Sequence, residues 1–282
     1  MKRIIIFLFL IGAFHLVFGQ KPTETVNYGI VLSGGGALGF AHIGALQALE
    51  EAGIELPVVS GASMGALVGA MYAYGYSPKE MIDIIEREKI YKKSKIFDFR
   101  LFRKKGISDH RKLSKVLDNI FQKNSFDSLQ RFFALSMTDF VNLETEYAFS
   151  GDNLKEKLMA SSSIPAFFEV IELNGKIYVD GGVMNNLPIE PIKDKCNTII
   201  MIDVNAIYPQ TINSGKIKMA NRALVGMFQQ MNATRIAQAD HYIGFQELAP
   251  YHIFDFKEYK EIIRIGYEGT KKYLEEHPEL QE

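Results

Sequence analysis

Leu56-Pro57-Val58-Val59-Ser60-Gly61-Ala62-Ser63-Met64-Gly65-Ala66 reads as a strand that stops abruptly, a serine at a sharp turn, and the start of a small-residue helix reaching Tyr74. Glycines stand two residues either side of the serine because so tight a strand-to-helix reversal leaves no room for side chains there, and it forces the hydroxyl out of the turn. The N-terminal amides of the following helix point at the same spot. This is a nucleophile elbow, and it suits a covalent hydrolase in which Ser63 attacks an ester carbonyl while backbone donors hold the oxyanion. A Gly-x-Ser-x-Gly string also arises by chance in glycine-rich turns, so the decision rests on what surrounds it.

Upstream, the apolar run Tyr28-Gly29-Ile30-Val31-Leu32 ends in Ser33-Gly34-Gly35-Gly36-Ala37-Leu38-Gly39 and opens into a helix with Phe40, Ile43, Leu46 and Leu49 on one stripe. Consecutive glycines let backbone amides turn inward around an anion, as an oxyanion or phosphate site requires. The loop also matches Gly-x-Gly-x-x-Gly, the dinucleotide fingerprint. That reading wants an acid at the end of the second strand, and here that strand ends in Ser60-Gly61, with Glu55 lying before it. Downstream, Lys176-Ile177-Tyr178-Val179 leads into Asp180-Gly181-Gly182. Alone this is an ordinary Asp-Gly turn; beside the elbow and the glycine loop, Asp180 becomes the partner for Ser63.

These motifs, in this order, resemble the patatin-like phospholipase family, of the bacterial kind. The resemblance runs from about Tyr28 to Asn205 and includes Ala160-Ser161-Ser162-Ser163-Ile164-Pro165 and Val183-Met184-Asn185-Asn186-Leu187-Pro188. It implies a three-layer α/β/α fold with a central, mostly parallel sheet and a Ser-Asp dyad without histidine. Ser63 would be the nucleophile and Asp180 the proton acceptor. The oxyanion hole would come from Gly34, Gly35, Gly36 and Gly39, and Gly61, Gly65, Gly181 and Gly182 would support the elbow and the turn. The implied activity is phospholipase A-like acyl hydrolysis of a lipid ester. A carboxylesterase, lysophospholipase or thioesterase, or a weakly active lipid-binding module, stays open beside it. One position departs from the pattern: Leu38 stands where the family usually carries Arg or Lys, a change expected to favour uncharged esters over phospholipid head groups.

Other residues compete for the role of base. His42 lies near the glycine loop but reads as a helix residue beside the sheet. His110, His241 and His252 have no motif around them. Asp139 and Asp203 follow the strand-like runs Phe133 to Met137 and Thr198 to Ile202, but neither precedes a glycine, so both rank below Asp180.

Met1-Lys2-Arg3 followed by the apolar run Ile4 to Phe18 reads as a signal peptide ending near Gly19, too short for a membrane span. The expectation is an exported protein, secreted or held in the periplasm or at the outer membrane, with residues 20–282 as one catalytic domain: core motifs in 28–205 and a helical segment in 215–282. A formal net charge of −1 leaves no nucleic-acid footprint. Cys196 is the only cysteine, so no internal disulfide forms, and no Cys/His or acidic run has metal-ligand spacing. Neither metal nor cofactor is expected. Ser77-Pro78-Lys79-Glu80 is a capping box that predicts a helix from Pro78 to about Lys89. Helical patterns also cover Asp109 to Phe121, Asp152 to Ala160, Ala220 to Gln238 and Phe256 to Glu276. Between them, residues 91–106 mix seven Lys and Arg residues with Phe97, Phe99 and Phe102. That stretch is open to two readings: a lid or peripheral membrane contact, or a solvated loop whose aromatics pack on the domain.

Overall fold

A computed structural model of the chain describes residues 26–92, 110–206, 226–227 and 229–281. The expected leader at 1–19 and nearly all of 91–106 lie outside them. Among the described residues the core is an eight-stranded sheet. β1 (Val26–Leu32) lies in its middle, paired in parallel with β2 (Val58–Gly61) on one side and with β7 (Cys196–Asp203) on the other. β3 (Phe132–Asp139) continues the parallel array beyond β2, and β8 (His241–Gly244) continues it beyond β7. β4 (Glu144–Ala148), β5 (Ile171–Leu173) and β6 (Lys176–Asp180) join antiparallel at the β3 edge.

Alternation along β1 assigns the faces. Ile30 and Leu32 belong to one buried cluster, with β3 and the helices α1 (Ala41–Glu51), α2 (Met64–Tyr74) and α3 (Pro78–Glu88). Val31 points the other way, into a second cluster with Val58, Met201, Leu187, Ile189 and Ile192. A strand buried on both faces must read as a continuous apolar run, which is why Ile30-Val31-Leu32 shows no alternation in its sequence. The first face also carries α4 (Arg111–Ile120), α5 (Leu154–Ser161) and the C-terminal α6 (Tyr259–Glu276), which packs along α1.

The capping box forms as written: Ser77 Oγ accepts from Glu80 N, and Glu80 Oε2 accepts from Ser77 N at 2.8 Å. The glycine loop departs from expectation. It enters α1 through a 3-10 turn, Gly36–Phe40, because Gly36 takes φ 55 and turns the chain before the α-helix begins.

The register of β3 explains how distant residues meet. β2 pairs with β3 only as far as Gly61 opposite Leu135, and β6 then takes the same edge, with Asp180 opposite Met137. β4 occupies the other edge from Leu135 to Asp139. The end of β6 is therefore delivered to the point where β2 leaves the sheet.

Candidate active site

Ser63 sits between β2 and α2 with φ 50 and ψ −121, a conformation costly for any residue with a side chain. It persists because close packing surrounds it. A β-carbon at Gly65 would overlap the carbonyls of Leu32 and Ser33, and one at Gly34 would press on Ser63 Cβ at 2.9 Å. Gly61 is in backbone contact with Gly65, so the two glycines of the elbow close the turn on each other. The strained turn presents the hydroxyl to Asp180: Ser63 Oγ donates to Asp180 Oδ2 at 2.7 Å.

Asp180 is held from three sides. Its Oδ1 accepts from Gly182 N at 2.8 Å, its own amide donates to Ser163 O at 3.0 Å, and Thr138 Oγ1 donates to its carbonyl at 2.9 Å. Gly181 lies against Ser136, where a β-carbon would not fit. Burial pushes the Asp180 carboxyl up to about 6, against the smaller downward pull of the Ser63 and Gly182 hydrogen bonds.

The glycine loop arrives at the same place. The Gly34 amide is already engaged, donating to Asn186 Oδ1 at 3.1 Å, while Asn186 Nδ2 and Asn205 Nδ2 both bond to the Gly34 carbonyl. Ala37 N donates to Ile253 O at 2.8 Å and pins the far side of the loop. Among the described residues, no acceptor is bonded to the amides of Gly35, Gly36 or Met64. Those three N–H groups, rather than that of Gly34, are free to receive a developing negative charge. Gly39 lies inside the 3-10 turn against the Met64 side chain, as a packing position.

Three residues beyond the expected set complete the arrangement. Ser161 Oγ accepts from Ser63 N at 3.0 Å, and Asn186 and Asn205 hold Gly34. Ser161 and Asn186 lie in segments that resembled the family, but only their spatial neighbours reveal what they touch. Leu38 is 7% exposed and belongs to the main apolar cluster. The position thus faces the core, and an arginine there would have to bury its charge or displace the turn.

His42 is fully buried. Its Nε2 bonds to Ser33 O at 2.8 Å and burial pushes its pKa down to about 4, so it is neutral and braces the loop. His110 Nε2 bonds to Glu169 O at 2.7 Å and lies 3.2 Å from Ser163 Oγ. Asp139 binds its own turn, and Asp203 is bonded to Asn205 N, Tyr242 and Gln229. His241, His277 and Glu279 bring one donor atom each within 4.8 Å of one another, the one such group among the described residues. They lie on β8 and beyond the end of α6, elements that supply nothing to the Ser63 site.

Ser63 and Gly36 also form part of the wall of an apolar cavity. It extends between Phe40 and Ile43 of α1, Leu67 and Met71 of α2, Ile85 of α3, and Leu113, Leu117 and Ile120 of α4. A chain of methylene groups finds almost only hydrocarbon there, with Ser63 and Ser162 as the hydroxyl-bearing residues of the wall.

The patatin-like phospholipase family model matches residues 30–193, more than half of the chain, and the chain belongs to that family. Lysophospholipase NTE1 of Candida glabrata is 27% identical over 88% of this chain and 16% of the fungal protein. Lysophospholipase nte1 of Aspergillus niger is 26% identical over 94% of this chain and 19% of its own length. The chain thus spans less than a fifth of these curated relatives. Among solved structures, VipD from Legionella pneumophila superposes with a TM-score of 0.59 at 16% identity, covering 90% of this chain and 67% of VipD. That likeness, with the sheet and its flanking helices, establishes the three-layer α/β/α fold.

Proposed function

We propose that this protein is a lipid acyl hydrolase that cleaves carboxylic esters through an acyl-Ser63 intermediate, with Asp180 as the proton carrier. The observation that carries the reading is the 2.7 Å hydrogen bond from Ser63 to Asp180 in the wall of an apolar cavity. As Oγ bonds to the ester carbonyl carbon, its proton passes to Asp180 Oδ2 and the carbonyl electron pair moves onto oxygen. The amides of Gly35 and Gly36 hold that oxyanion. Collapse restores the carbonyl and breaks the bond to the alcohol oxygen, which takes the proton back from Asp180. Water, giving a proton to Asp180, then attacks the acyl-enzyme; the fatty acid leaves and Ser63 recovers its hydrogen. A carboxyl raised to about 6 suits this shuttle better than one at 3.8.

The fungal relatives are named lysophospholipases, which supports single-chain phospholipids as the first substrates to try. The same chemistry serves carboxylesters and thioesters. Labelling with a fluorophosphonate probe tests the reading. Wild type takes the label and Ser63→Ala does not; a folded wild type that stays unlabelled and turns over neither lysophosphatidylcholine nor a soluble ester would be a lipid-binding module instead. Export from a bacterial cell belongs to the same proposal, supported by the charged and apolar start of the chain. Sequencing the N-terminus of exported protein should begin near Gln20, and an intact Met1 would overturn it.

A further inference from the structure

The turn joining β3 to β4 exposes Phe140, Val141 and Leu143 at 49%, 70% and 54% of their surface. It is nevertheless firmly built. Asp139 Oδ1 accepts from the amides of Val141 at 2.9 Å and Asn142 at 3.2 Å, Oδ2 accepts from Asn142 Nδ2 at 3.0 Å, and Asp139 O accepts from Leu143 N at 2.9 Å. Leu143 takes φ 54, a region where glycine or asparagine is the low-cost choice. An apolar side chain in that conformation, turned to water, contributes nothing to the core. The tip is rigid, strained and unburied.

Its place in the fold suggests what it meets. β3 runs parallel to β1 and β2, whose C-terminal ends carry the glycine loop and Ser63. Met137 is level with Asp180, and β3 continues to Asp139 before turning. At about 3.3 Å per residue, Phe140 stands roughly 10 Å beyond Asp180 on the same end of the sheet. The strand ends beneath the tip carry Asp139, Glu144 and Glu146 against Lys176, which is ion-paired to Glu146. An anionic surface would be repelled there, whereas a neutral one would receive the apolar side chains.

We propose that residues 140–143 form a wedge that inserts into a zwitterionic or uncharged lipid surface and seats the active-site end of the sheet against it. The inference rests on the reading of the site as a lipid hydrolase, and it assigns membrane contact to residues other than the basic stretch 91–106.

The chain has no tryptophan, so Val141→Trp reports on the tip alone. Its emission should shift to the blue on adding phosphatidylcholine vesicles. The triple variant Phe140→Ser, Val141→Ser, Leu143→Asn should bind the vesicles about tenfold more weakly or worse, lose activity on vesicle-borne lipid to match, and keep full activity on a soluble short-chain ester. An absent blue shift, unchanged vesicle binding by the triple variant, or wild-type binding that appears only when anionic lipid is added would overturn the wedge. So would light scattering that finds a wild-type dimer broken by the triple variant with vesicle binding intact, since the tip would then dock a second copy of the chain. Failure of the hydrolase reading looks different: no turnover of the soluble ester by wild type, with the Val141→Trp shift preserved.

Discussion

Asp180 ends β6 and Asp203 ends β7; both are buried, and burial raises the pKa of each. They differ in what surrounds them. Asp203 accepts from Asn205 N at 2.9 Å, Tyr242 Oη at 2.9 Å and Gln229 Nε2, and it aligns Asn205, whose side chain holds Gly34. Asp180 has one fixed donor, Gly182 N, and one that can give its proton away, Ser63. A raised pKa therefore does not by itself make a base. A carboxylate saturated with permanent donors is a strut, and one whose second oxygen faces only a nucleophile is a proton carrier.

The widest separation between the two should appear in rates. Ser63→Ala removes the proposed nucleophile and is expected to lower kcat/KM roughly a million-fold, and Asp180→Asn by roughly ten-thousand-fold or more, with the double variant little worse than Ser63→Ala alone. Asp203→Asn leaves the chemistry in place and should lose activity only as far as the loop loosens. If Asp203→Asn proved as damaging as Asp180→Asn in a folded protein, the assignment of roles would have to be exchanged.

Stability should separate them with opposite sign. Folding lifts Asp180 from 3.8 to about 6, so the folded protein binds this proton more tightly than the unfolded chain does. The carboxylate's cost is absent below about pH 4, grows as pH rises, and is fully present above about pH 6. Asp180→Asn should stabilise the protein at pH 7.5 by up to about 3 kcal/mol, with the gain shrinking toward nothing near pH 4. Asp203→Asn also removes a carboxyl whose pKa burial raises, but it turns an amide N–H toward the Tyr242 and Gln229 donors, and the net should be a cost of about 1–3 kcal/mol. Urea titrations at the two pH values measure both. The same titration governs activity: kcat/KM should fall about tenfold per pH unit below about 6 and level off above it, since Asp180 must be ionised to accept a proton.

The elbow, the glycine loop and the Asp180 turn were legible because each needs residue types that few other conformations demand. Glycines at 61 and 65 follow from backbone crowding that is local to the turn. The central strands announced themselves as apolar runs for the same reason that they are buried on both faces. The sheet edge was not legible. β4 is Glu-Thr-Glu-Tyr-Ala and half exposed, β5 is three residues long, and β8 is His-Tyr-Ile-Gly, so none carries enough pattern to stand apart from a loop. Nor could the sequence say which loop amide is free, because Gly34 is occupied by Asn186, 152 positions away. The environment of Leu38 was hidden for a related reason: its neighbour in sequence is the glycine loop, but its neighbours in space are the core.

The smallest expected effect concerns Ser161, which holds the backbone of the proposed nucleophile. Its Oγ accepts from Ser63 N inside the protein, so Ser161→Ala leaves a buried amide unpaired at the residue with the most strained backbone of the site. Part of the lost hydrogen bond would be recovered by relaxing Ser63 toward a commoner conformation, which turns Oγ away from Asp180 Oδ2. A loss of about tenfold in kcat with KM nearly unchanged is the expected result, since Ser161 does not line the apolar cavity beside Ser63. Ser161→Thr, which keeps the acceptor, should restore most of the rate. If Ser161→Ala instead raised KM and left kcat alone, the serine would be supporting the cavity wall rather than the angle of attack, and the elbow would be holding its strain through glycine packing alone.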